Sequence, residues 1–190
     1  ALCMLPPLLV AAVSGGPDMP AFLRSVAICG GVGGLLTLTR PDDPRLQTRD
    51  GFVCVALCWI VLGLFGALPY FFSHSCDFMD AFFETVSGLT TTGASIFSAP
   101  SALPRGIQLW RALTQWMGGM GILVLVLALL PKISEGSVNL MKAESPGPIS
   151  TKLRPRTGET ARILYRIYIA LTAIEAVVLR IVGLPWFDAL

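Results

Sequence analysis

The chain has 190 residues, of which 54% are hydrophobic and only 14% charged, and its mean hydropathy is +0.70. A soluble domain of this size carries about a quarter charged residues, so the composition excludes one and names membrane lipid as the first partner. The net charge is +2, with no basic patch interleaved with aromatics, so no nucleic acid is expected as a partner.

Residues 1–14 are apolar and residues 21–39 are apolar and glycine-rich, which predicts a pair of membrane helices. A cleaved signal peptide explains this start poorly, because no basic segment precedes the apolar residues. No residue is charged between Asp50 and Asp77, or between Arg111 and Lys132, and each interval holds the roughly 20 apolar residues that cross a bilayer. Residues 161–184 form a weaker span that carries Arg162, Arg166, Glu175 and Arg180. With residues 40–50 and 131–162 in the cytoplasm, that side holds Arg40, Arg45, Arg49, Lys132, Lys142, Lys152, Arg154, Arg156 and Arg162. The other side keeps Arg24, Arg105, Arg111 and Arg180, so the positive-inside rule places residues 74–106 outside.

Between the two charge-free intervals, FMDAFFETVSGL puts Phe78, Phe82, Phe83, Val86 and Leu89 at helical spacing, with Asp77 and Asp80 near the start, where acids favour a helix N-terminus. Such a helix reaches only about halfway through a bilayer. TTTGAS follows, too polar for lipid, and then IFSAPSALP leads back to the same side. Backbone of this kind at membrane depth must be buried in protein or line a watery cavity. The pattern is that of a pore loop, although an ordinary outer loop between two spans fits the local sequence as well. In the pore-loop reading the helix ending at Leu89 turns its negative end inward, and an extended Thr90, Thr91, Thr92 and Gly93 presents successive carbonyls to a cation. Gly93 serves where the backbone needs positive φ or close approach.

Other residues carry weaker signals. The cysteines Cys3, Cys29, Cys54, Cys58 and Cys76 lie mostly in apolar runs and read as small buried hydrophobes. Cys54 and Cys58 share a helix face but lack further ligands at metal spacing. Gly118, Gly119 and Gly121 favour close helix packing over a gating bend. Glu84 is expensive inside a membrane unless paired or wet, and reads as a support for the loop ahead of a source of negative potential. Trp110, Arg111 and Trp116 read as interface anchors, His74 as solvated, and Glu175 and Arg180 as needing partners on other helices. Ser87 and Ser95 have no neighbouring histidine, so a nucleophile is not evident and no enzyme is expected.

DAFFETVSGLTTTGASIF, then LPRGIQLWRALTQWMGGMGILVLVLALLP, and later KAESPGP and ETAR closely resemble the Trk family of bacterial potassium uptake proteins, of the TrkH and TrkG type. The likeness runs over nearly the whole chain. TTTG alone is weakly specific, but TTTGAS at this distance from WRALTQWMGGMGI is strong. The two spans before Asp50 match the additional N-terminal helix pair of that type.

The resemblance implies an all-α integral membrane fold: a potassium-channel-like helix, pore-loop, helix repeat, preceded by an extra pair of transmembrane helices and followed by the start of a second repeat. The divisions are 1–50 for the helix pair and its cytoplasmic connection, 51–131 for the first repeat, 132–159 for a cytoplasmic connection and 160–190 for the first helix of a second repeat. GALPYFF with FMDAF at 66–82 is echoed by GLPWFDAL at 183–190, which makes Asp80 and Asp188 equivalent; set against the four filter segments that the resemblance implies, the one present makes an N-terminal fragment the expectation, with assembly of several copies as the alternative. It further implies a multi-pass protein of the bacterial inner membrane that carries the potassium ion on Thr90, Thr91, Thr92 and Gly93. Implied partners are a second copy in a homodimer and a cytoplasmic nucleotide-binding regulatory subunit of the TrkA type, for which 132–159 is a candidate dock. A non-conducting structural or regulatory subunit is the alternative.

Overall fold

The computed structural model describes residues 1–38, 48–121 and 157–189, and among these the chain is helical, with no strand. A 3-10 turn at Leu2–Met4 leads into α1 (Leu5–Ser14), which is followed by α2 (Met19–Leu38), α3 (Thr48–Gly66), α4 (Leu68–Phe72), α5 (Phe78–Leu89) and α6 (105–121). Beyond them come α7 (Thr157–Ile181) and α8 (Trp186–Ala189). The expected cytoplasmic connection at 132–159 lies outside the described residues up to 156, and α7 has already begun at 157. The end of the expected 112–131 span is likewise outside them.

The chain divides into two compact units, Ala1–Gly118 and Gly119–Leu190, each described by itself. In the first, α1 packs on α2, α2 on α4, and α3 and α4 on α5. The core where they meet holds Met4, Ala11, Phe22, Ala67, Tyr70, Ala81, Ile107 and Trp110. Phe22 and Trp110 touch edge to face with ring centres 6.5 Å apart, a favoured aromatic geometry.

Met19–Leu38 and Val53–Phe72 are long and apolar enough to cross a membrane, and only 17% and 28% of their apolar windows are buried. The core helix of a soluble protein is mostly buried, so these exposed apolar faces belong against lipid or other membrane helices. The first apolar segment is shorter than expected. α1 has 10 residues, about 15 Å of rise, too little for a span by itself. The cysteines depart from the expectation too: Cys3, Cys54 and Cys58 are exposed and Cys29 and Cys76 only partly covered. An apolar residue in such a chain need not point into a protein core.

The charge-free stretch before Asp77 is not one rod. α3 stops at Gly66 and α4 starts at Leu68 with Pro69 in its first turn. Proline has no N–H to continue the ladder, and at the break the Gly66 carbonyl accepts the Trp110 indole N–H at 2.9 Å.

In the second unit, the 25-residue α7 carries five charged residues, Glu159, Arg162, Arg166, Glu175 and Arg180. Arg180 finds its partners near its own helix end, contrary to expectation: it donates to the Leu184 carbonyl at 3.2 Å and lies over the Trp186 ring at 5.8 Å. Gly119 packs against Tyr168, where a Cβ would come within 2.7 Å of the phenol oxygen.

Candidate functional site

α5 is 12 residues long, about 18 Å, as its spacing predicts, and it ends at Leu89. Asp77 holds the N-cap position without a side-chain capping bond, and Asp80 lies in the first turn. The far end is closed by two crossed backbone bonds: Thr92 N–H to Ser87 O and Thr91 N–H to Gly88 O, both 2.9 Å. This is the Schellman pattern, which needs a left-handed residue at its turning point. Here that residue is Thr91, with φ at 55°. A β-branched side chain in that region is a genuine outlier and costs on the order of 1–2 kcal/mol.

The loop is therefore not extended from its first threonine. Thr90 and Thr91 complete the helix end, and the chain leaves the helix only from Thr92. Gly93 has φ at +75°, the conformation for which glycine was expected. The threonine hydroxyls are engaged within the loop: Thr90 Oγ1 donates to Val86 O at 2.8 Å, Thr91 Oγ1 to Thr90 O at 2.7 Å, and Thr90 and Thr92 share a bond of 2.8 Å. Thr90 to Gly93 are all exposed, and among the described residues the carbonyls of Thr91, Thr92 and Gly93 accept no hydrogen bond. Carbonyls in that condition can serve a cation; hydroxyls already committed to the loop brace it.

The return limb is held tightly by contrast. Ser87 Oγ donates to Ala94 O at 2.5 Å. Glu84 accepts from Ser95 Oγ and from the Ile96 N–H, each at 3.1 Å, and from Arg111 Nε at 2.5 Å. Its side chain is 2% exposed and that of Arg111 27%, so the pair sits largely out of water. A buried carboxylate is tolerated when it is paired and hydrogen-bonded, and here both oxygens accept at least one bond. Glu84 is thus the loop support the sequence suggested. Arg111 and Trp110 are not the interface anchors expected of them: one pairs with Glu84 and the other is buried, because α6 lies directly behind α5. The approach is close. A Cβ at Gly118 would collide with the Leu89 backbone, which is packing of the kind expected there.

On the side where α5 begins, a cavity of about 480 Å³ is lined by Phe71, His74, Cys76, Asp77, Asp80, Ile96 and Phe97, among others. His74 is exposed, as expected. Burial, and then the carboxylates of Asp80, Glu84 and Asp77, push the Cys76 thiol up to about 11. Among the described residues no three His, Cys, Asp or Glu side chains converge as metal ligands.

Several residues escaped sequence reasoning. Ser87, weighed only as a nucleophile, clamps the loop. Tyr70 and Asp18 are completely buried, and the Asp18 carboxylate has no hydrogen-bond partner among the described residues. One of its oxygens contacts Gly106 in the first turn of α6, where negative charge complements the helix dipole. Asp18 sits 88 positions away from that turn; no spacing rule reaches so far.

Membrane-length helices with exposed apolar faces, together with a half-length helix and a polar loop folded back onto it, define an α-helical membrane protein. The family model for TrkH, a cation transport protein, matches residues 18–185, and the chain belongs to that family. It is 43% identical over its whole length to the Trk system potassium uptake protein TrkH of Halomonas elongata, of which it covers 40%. The TrkH of Salmonella typhimurium is also 43% identical over 98% of the chain, again 40% of that protein. The Trk system potassium uptake protein TrkG of Escherichia coli is 37% identical over all of the chain. The crystal structure of the potassium transporter TrkH from Vibrio parahaemolyticus superposes with a TM-score of 0.80 at 35% identity, covering 99% of this chain and 38% of that one. The chain thus spans about 40% of the length of the curated relatives it matches, and those relatives are named as uptake proteins, not enzymes.

Proposed function

We propose that residues 51–131 form one pore-loop unit of a potassium uptake protein of the bacterial inner membrane, with Thr90, Thr91, Thr92 and Gly93 supplying one side of its ion path. The observation that carries this reading is the contrast within the loop: free carbonyls from Thr91 to Gly93, and a neighbouring Ala94 carbonyl that is tied back to Ser87. A cation that sheds water needs oxygens on every side, and a single loop provides one side. Further loops complete the ring, in line with the four repeats that the resemblance implies. The negative end of α5 adds to the attraction. Potassium is cargo here, not a resident cofactor. The loop faces the outside, 1–50 is the additional helix pair and 160–190 opens a second repeat. The homodimer and the nucleotide-binding regulatory partner belong to the same reading.

Gly93→Ala in the full-length protein tests it. At φ +75° an added Cβ meets only Gln115 Nε2, at 3.8 Å, so the change strains the loop without a collision. Uptake in a potassium-uptake-deficient strain falls at least about tenfold, which is the kinetic equivalent of about 1.4 kcal/mol, while membrane insertion is normal. Full rescue at low external potassium removes Gly93 from the ion path and leaves the non-conducting subunit as the better description.

A further inference from the structure

We propose that one ordered water molecule is bound behind the loop, between α4, α5 and α6, and that Tyr70 is the positioning residue that holds it against the turn at Gly93. The Tyr70 ring is fully buried and lies 6.4 Å from that of Phe97, so its hydroxyl cannot swing out to solvent. That hydroxyl has no hydrogen-bond partner among the described residues, although Thr114 is beside it. A buried hydroxyl left in this condition keeps its full desolvation penalty.

A cavity of about 10 Å³ is lined by Tyr70, Glu84, Ser87, Gly93, Arg111 and Thr114, among others. This is about the volume that one water requires, and a bound water needs two to four polar partners. Here they are available. Ser87 has already given its proton to Ala94 O and Thr114 its proton to Arg111 O at 2.8 Å, so both hydroxyl oxygens are left as acceptors. Glu84 Oε2 accepts the Ile96 N–H and has lone-pair capacity to spare. A water that accepts from Tyr70 and donates to two of these three oxygens satisfies every group. The Arg111 guanidinium and the small volume exclude a metal cation in its place. The water stands behind the peptide between Gly93 and Ala94 and limits how far that turn can yield.

The effect on ion selection rests on the proposed function, whereas the occupancy does not. In a structure of the full-length protein at about 2 Å resolution, a water peak is expected within about 2.6–3.2 Å of Tyr70 Oη and of two of the oxygens of Glu84, Ser87 and Thr114. An empty cavity, or a direct bond from Tyr70 to Thr114 or Glu84, overturns the site whatever the transport data show. Tyr70→Phe keeps the ring and removes the hydroxyl. It is expected to remove the peak and to change the potassium-to-sodium uptake ratio by about three- to tenfold, the worth of one hydrogen bond, with thermal stability nearly unchanged. An unchanged ratio overturns the positioning role. A full-length parent that takes up no potassium at all refutes the proposed function, and the water peak still decides this site.

Discussion

Among the described residues four helices end in the same crossed pair of backbone bonds, and two of them use glycine at the turning point. α1 closes with Gly16 N–H to Ala11 O and Gly15 N–H to Ala12 O, with Gly15 at φ 62°. α7 closes with Leu184 N–H to Leu179 O and Gly183 N–H to Arg180 O, with Gly183 at φ 108°. α4 closes with Ser75 N–H to Tyr70 O and His74 N–H to Phe71 O, with His74 at φ 54°, and α5 makes the same two bonds with Thr91 in the glycine position. Histidine is among the residues that tolerate the left-handed region; a β-branched threonine is not, and it stands at the loop where carbonyls are left free. Strain that surrounding structure holds in place is a mark of functional sites, and the surrounding structure is visible here in Ser87, Glu84 and Arg111.

Arg111→Gln strikes the comparison hardest. It leaves Glu84 buried without its countercharge, a change worth about 3 kcal/mol or more, and it loosens the return limb that keeps Thr91 in place. Full-length protein carrying it is expected to show a Tm lower by several degrees and uptake reduced at least about tenfold. An unchanged Tm means that the ion pair is not what holds the loop.

Thr91→Gly sharpens the contrast, because stability and activity move in opposite directions. Removing the Cβ from a left-handed residue relieves strain, so stability rises by about 1 kcal/mol, while uptake falls as the loop gains freedom. If it behaves like an ordinary cap, more stable and equally active, the strained threonine has no function.

Ser87→Ala removes one hydrogen bond to Ala94 O and costs about 1 kcal/mol. Its loss frees the Ala94 carbonyl, and potassium-over-sodium preference is expected to drop by about threefold with insertion intact. The smallest effect is at Cys76. With its thiol raised by burial and by Asp80, Cys76 is protonated at pH 8 and labels slowly with an impermeant thiol reagent. Asp80→Asn removes a charge that raises the pKa, so the thiolate fraction and the labelling rate at pH 8 rise, by about two- to threefold. A rate that falls instead reverses the sign of that interaction.

Much of this architecture could be read from local sequence. The α5 boundaries follow from the spacing of Phe78, Phe82, Val86 and Leu89, and the role of Glu84 from the expense of a carboxylate at membrane depth. The break between α3 and α4 was signalled by Pro69, but apolarity on both sides concealed it. Trp110 and Arg111 were expected at the membrane interface, since tryptophan and arginine near a helix end look alike whether they face lipid headgroups or another helix, and nothing local marked Asp18. The left-handed Thr91 was hidden for a related reason: capping rules point to glycine, and Gly93, two residues later, was the obvious choice.

The central claim is that the carbonyls of Thr91, Thr92 and Gly93 face the ion. Crystals of the full-length protein grown with rubidium or thallium in place of potassium test it most directly, through the anomalous difference map. Peaks in coordination contact with the carbonyl oxygens of Thr91, Thr92 and Gly93, and none at Ala94, are the expected result. A peak on the return limb, or an occupied ion path that touches only threonine hydroxyls, contradicts it.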